Sequence, residues 1–125
     1  MKWRPQKSLA VILIAMSVSS VGMSANSSVH PTGQEFMNFC NATTADDDGE
    51  TRFSRCESLV QETRRALAAS PVHGIRACVP QKVSDLKLVF TAIHWLDDNP
   101  EGLTMETDEV LARALSEVWP CVSEG

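Results

Sequence analysis

Residues 78–121 read CVPQKVSDLKLVFTAIHWLDDNPEGLTMETDEVLARALSEVWPC, and this stretch decides the fold. Pro80 keeps the residue before it extended and discourages helix there. Ser84 then offers an N-cap, with Asp85 in the first turn, where a negative charge suits the helix dipole. Leu86, Val89, Phe90, Ile93 and Leu96 recur at steps of three and four, which predicts an amphipathic helix with those residues as its buried stripe. Asn99 and Pro100 end it. A last helix is expected from near Thr104, with Thr107, Val110, Leu111, Ala114, Leu115 and Val118 on one face, until Pro120 forbids its continuation. Cys78 precedes one helix and Cys121 follows the next, so the two cysteines share one end of an antiparallel pair.

Working back from this pair, Thr32 and Glu35 stand at capping-box spacing ahead of Phe36, Met37, Phe39 and Cys40, which starts a first helix. Residues 41–50, NATTADDDGE, contain no periodic apolar positions and should form an exposed loop. Over residues 51–69 the apolar or small side chains fall at Phe53, Cys56, Leu59, Val60, Thr63, Ala66 and Leu67, again helical. Arg52, Arg55, Glu62, Arg64 and Arg65 occupy the other side, read as a solvated face with local ion pairs. Pro71 and Gly74 close this helix. No segment alternates with period two, and tyrosine is absent. The expected fold is therefore all-α, a small bundle of about four helices.

The chain has 125 residues, and its first 25 follow another logic. A basic start (MKWRPQK), an apolar run (LAVILIAMSVSSV) and small residues at Gly22, Ser24 and Ala25 make the three-part pattern of a secretory signal peptide, with cleavage between residues 22 and 27. The apolar run is too short for a retained span, so no membrane attachment is expected after its removal. Residues 26–125 then form one helical domain in the periplasm. Lys2, Arg4 and Lys7 belong to the signal and every acidic residue follows it, leaving 8 basic against 16 acidic residues, net −8. That balance argues against nucleic-acid binding and suits a basic protein partner.

Export also decides how the four cysteines are read. In an oxidising compartment an even number in so short a chain forms disulfides, and the spacing of Cys40, Cys56, Cys78 and Cys121 lacks the CxxC clamp of a structural zinc site. No metal is expected. Four cysteines allow three connectivities. The helical layout favours Cys40 with Cys56, across a hairpin, and Cys78 with Cys121.

Catalytic equipment is not legible. His30 lies in a polar tail, His73 in a linker and His94 on a helix; there is no HExxH, GxSxG or P-loop, and bridged cysteines leave no thiol nucleophile. No catalytic residue or cofactor is assigned, and the chain is not read as an enzyme. Asp46, Asp48, Glu50 and Glu57 match part of a calcium-loop count, but Thr51 stands where that loop needs glycine. What remains is surface. Asp97, Asp98, Asn99 and Glu101 form an acidic turn and the first candidate for partner binding; Asp46, Asp47, Asp48 and Glu50 form the second. Trp95 and Trp119 are read as core residues.

The spacing of residues 78–121 resembles the C-terminal signature of the Rap/Tai family, immunity proteins against type VI secretion amidase effectors. The matching positions are Cys78 with Pro80, Val83 with Ser84, Trp95 with Leu96, Pro100 with Glu101, Ala114 with Leu115, and Trp119, Pro120 and Cys121. Upstream, residues 36–40 (FMNFC) and 56–60 (CESLV) are also similar to it. In the second helix the family's glycine-containing Cys-x-Gly-Tyr-Ile-x-Gly run is replaced around Ser58, Leu59, Glu62, Arg65 and Ala66. The resemblance implies a disulfide-bonded helical periplasmic protein that binds and blocks a cognate peptidoglycan amidase effector, and that forms a homodimer in several members. The alternative is a periplasmic stress or acid chaperone resembling the Hde-type proteins, which are small and helical but carry one bridge.

Overall fold

The computed structural model describes residues 30–43 and 45–122; the signal expected over residues 1–25 and its cleavage between 22 and 27 lie outside them. Four α-helices follow in order: α1 (Gly33–Cys40), α2 (Gly49–Ala69), α3 (Asp85–Asp98) and α4 (Thr107–Val118). A short 3₁₀ helix, η1 (Pro100–Thr104), sits between α3 and α4. The fold is all-α, with isolated bridges but no strand among the described residues. α1 packs on α2 and η1, while α3 lies against both α2 and α4.

Local chemistry sets the helix starts. Thr32 Oγ1 accepts from Glu35 N at 3.2 Å while Glu35 Oε1 accepts from Thr32 N at 2.9 Å, a reciprocal capping box that satisfies two backbone donors. Ser84 Oγ accepts from Lys87 N at 3.1 Å and starts α3. α2 begins at Gly49, two residues before the expected start, so Glu50 belongs to its first turn and not to the loop. Arg52 braces this entry: its guanidinium reaches Asp48 at 3.2 Å and Asp46 at 3.6 Å, and donates to the carbonyl of Asn38.

Two disulfides staple the bundle. Cys40, the last residue of α1, joins Cys56 in the second turn of α2, with Cα atoms 5.1 Å apart. Cys78 and Cys121 join across 5.0 Å, beside a backbone hydrogen bond from Cys78 N to Trp119 O. Between them lies a core that includes Phe36, Val60, Leu88, Val89, Val110, Leu111 and Leu115, all fully buried. Trp95 is buried and Trp119 is half-buried against that core.

Four further expectations are corrected. α3 is rotated: it buries Leu88, Val89, Ala92, Trp95 and Leu96, whereas Leu86 and Phe90 are 44% and 56% exposed. The apolar arc of α3 is wider than one buried stripe, with Lys87, Thr91, His94 and Asp98 on the remaining side, and burying the larger Trp95 outweighs burying Phe90. The last helix starts at Thr107, because Pro100 opens a separate 3₁₀ turn and Met105 is extended, accepting from Gly33 N at 2.8 Å. Val118, expected on the buried face of α4, is 51% exposed at its C-terminal end. Arg64, too, is more than a solvated residue. It pairs with Asp85 at 3.0 Å and donates to the carbonyls of Pro80 and Gln81, pinning the α2–α3 connection.

Candidate functional surface

The rotation of α3 creates the most distinctive surface. Phe90 and Val118 stay outside the core and flank a groove of about 330 Å³ between α3 and α4, whose floor includes Trp95 and Ala114. The indole Nε1 of Trp95 donates to Glu117 Oε2 at 2.9 Å, which fixes Glu117 across the gap. Burying an indole N–H requires a partner of this kind. Asp98 and Asn99 also line the groove, with His94 and Lys87 on the α3 side.

The first candidate patch adjoins this groove. Asp97 and Asp98 are the exposed last residues of α3, and Glu101 is exposed on η1. Asn99 has a structural duty: its Nδ2 donates to Trp95 O at 2.9 Å and its backbone caps α3. Of the four, only Asp98 and Asn99 reach the groove wall. Acidic side chains at the C-terminus of a helix lie against the dipole's negative end, where they are disfavoured. No lysine or arginine among the described residues lies within 4 Å of Asp97, Asp98 or Glu101.

The second patch is built differently. Asp46, Asp47 and Asp48 are exposed, but Arg52 neutralises part of their charge, and Asp46 Oδ2 accepts from Thr43 N at 3.1 Å. Asp48 is the N-cap residue of α2 and Glu50 is in its first turn, where negative charge favours the helix. This patch borders a separate apolar hollow lined by Gly49, Phe53 and Glu57, sharing no residue with the α3–α4 groove.

One cluster had no signal in the sequence. His73 Nε2 lies 2.8 Å from Asp108 Oδ1 and 3.5 Å from Glu106 Oε1, bringing a linker residue onto the start of α4. The hydrogen bond to Asp108 raises the imidazole pKa; partial burial opposes this, and the charges of Asp108, Glu109 and Glu106 add to it. The sequence placed His73 in a linker, and nothing in linear spacing pairs it with residues more than thirty positions away. Phe90 and Val118 were missed for another reason, since periodicity assigned both to the core.

These surfaces present side chains for contact: an apolar groove, uncompensated acid beside it, and covalent staples that keep both in place. They sit on a small all-helical protein held by two disulfides, which is the class the fold defines. The model of the Rap1a immunity proteins matches residues 32–121, from the cap of α1 to the second disulfide, and the chain belongs to that family. No curated protein and no solved structure gives a significant match.

Proposed function

We propose that this protein is a periplasmic immunity protein that binds a peptidoglycan amidase effector delivered by type VI secretion and occludes its active-site cleft. The observation that carries the reading is the α3–α4 groove, where exposed Phe90 and Val118 meet the uncompensated acid of residues 97–101. An apolar centre beside charge is how interfaces divide their work: buried anchors hold the partner and rim charges steer its approach. Asp97, Asp98 and Glu101 would guide a basic cleft rim, and the Asp46–Asp48 patch would make a second contact. The paired disulfides fit an oxidising compartment, which is where a cell-wall amidase must be stopped. Several family members pair as homodimers, and a second copy would enlarge the occluding surface.

The test is inhibition of a purified type VI secretion amidase effector, sought first in the reading frame adjacent to this one, measured on purified peptidoglycan. Wild type should abolish hydrolysis at near-equimolar ratio. The double variant Phe90→Ser/Val118→Ser should bind at least about tenfold more weakly, as expected on loss of apolar anchors, while its melting temperature stays close to wild type. Full inhibition by that variant removes the groove from the mechanism. Failure of wild type to inhibit removes the proposed function.

A further inference from the structure

Three separate segments meet at the start of α4. Thr107 is buried there, its backbone N–H and hydroxyl donating to Pro31 O and its hydroxyl also reaching Thr32 O. Gly33 donates to Met105 next to it. The third segment arrives through the turn at residues 72–75. Val72 and Ile75 exchange backbone hydrogen bonds of 2.9 and 2.8 Å around His73 and Gly74, whose φ angles of 51° and 75° are both left-handed. A two-residue turn with both central residues at positive φ is tightly specified, so the Cα–Cβ bond of His73 has a fixed direction.

That direction is toward carboxylates. Asp108 Oδ1 lies 2.8 Å and Glu106 Oε1 3.5 Å from Nε2, and Glu109 Oε1 lies 4.0 Å from Nδ1. Arg113 answers Glu109 from the same helix, at 2.8 Å. Among the described residues no lysine or arginine lies within 4 Å of Glu106 or Asp108, so His73 is the cation available to them. Glu106 does not spend its side chain on capping α4.

We infer that His73 is a proton-operated latch, which holds the turn at residues 72–75 onto the start of α4 more tightly when its imidazole is charged than when it is neutral. The direction of the pH effect follows from the raised pKa. A group with higher proton affinity in the folded than in the unfolded state gives stabilisation that is complete below the unfolded value, about 6.5, and lost as pH rises through the folded value. Mild acid closes the latch. The latch does not rest on the proposed function.

The experiment therefore uses the protein without a partner. Histidine ring signals are followed by NMR between pH 5 and 9, with His73 assigned by its loss in His73→Asn, because asparagine tolerates positive φ and preserves the turn. His73 should titrate above 6.5, and Asp108→Asn should bring it back toward the ordinary value. In wild type the Ile75 amide, corrected for intrinsic exchange, should be about three- to tenfold better protected at pH 6 than at pH 8.5, and His73→Asn should erase that ratio. A His73 midpoint at or below 6.5 overturns the inference. So does Ile75 protection indifferent to pH in wild type, which can be read even if a variant fails to fold.

Discussion

At the scale of single residues, two glycines show how closely η1 approaches α1 and α3. A Cβ on Gly33 would overlap the Gly102 carbonyl, and one on Gly102 would fall 2.6 Å from the Trp95 ring and 2.8 Å from Leu96. A methyl group at Gly33 would require backbone movement, and one at Gly102 would require the buried Trp95 and Leu96 side chains to shift. Gly33→Ala should therefore destabilise by about 1–3 kcal/mol, as overpacking does, despite alanine's better helix propensity. A thermal melt checks this, and an unchanged midpoint would show that η1 can yield. The rotation of α3 makes a paired prediction. Phe36→Ala should cost about 3–5 kcal/mol because Phe36 is wholly buried, whereas Phe90→Ala, at a side chain 56% exposed, should cost under about 1 kcal/mol. Equal costs in urea unfolding would place Phe90 in the core after all.

Among the elements, the staples and the Arg64 brace compensate for a connection that has no helix of its own. Residues 70–84 link α2 to α3 and are held by the Val72–Ile75 bonds, the Cys78–Cys121 bridge and the Arg64 contacts. Chain-entropy reasoning gives the bridge spanning 43 residues about 4 kcal/mol and the one spanning 16 about 3 kcal/mol. Removing Cys78–Cys121 by paired serine substitution should consequently lower the melting temperature more than removing Cys40–Cys56, and reduction of both should leave the domain close to unfolding. Calorimetry with and without reductant decides it; the reverse order would show that local strain outweighs loop length. Arg64→Gln should leave helix content intact and loosen residues 78–85, visible as faster amide exchange there and not in α4.

For the whole molecule, charge is the governing property. Residues 26–125 carry net −8, yet the structure distributes this acid unevenly in its effects: Arg52 offsets the Asp46–Asp48 patch, while among the described residues no lysine or arginine lies within 4 Å of Asp97, Asp98 or Glu101. Reversing Asp97, Asp98 and Glu101 to lysine should slow association with a basic effector at low salt by about tenfold or more and flatten its salt dependence, with dissociation less affected. Stopped-flow or surface-based kinetics at two ionic strengths provide the measurement. Identical on-rates would move the steering role elsewhere, the Asp46–Asp48 patch being next.

The linear pattern by itself determined the helical class, the reciprocal cap at Thr32 and Glu35, the start of α3 at Ser84, most of the α4 face and the family, because each depends on neighbours within one or two turns or on spacing. It also placed both cysteine pairs within reach once the helices were laid antiparallel. Only the tertiary structure decided which part of α3 faces inward, because its apolar arc, from Leu86 and Phe90 round to Leu88 and Trp95, is wider than one packing face can cover and the choice falls to the partner that can bury Trp95. From that one rotation come the groove and the exposure of Phe90. The joining of His73 to Asp108 and of Arg64 to Asp85 was likewise invisible in one dimension, since through-space electrostatics depends on distances of a few ångströms that folding alone creates.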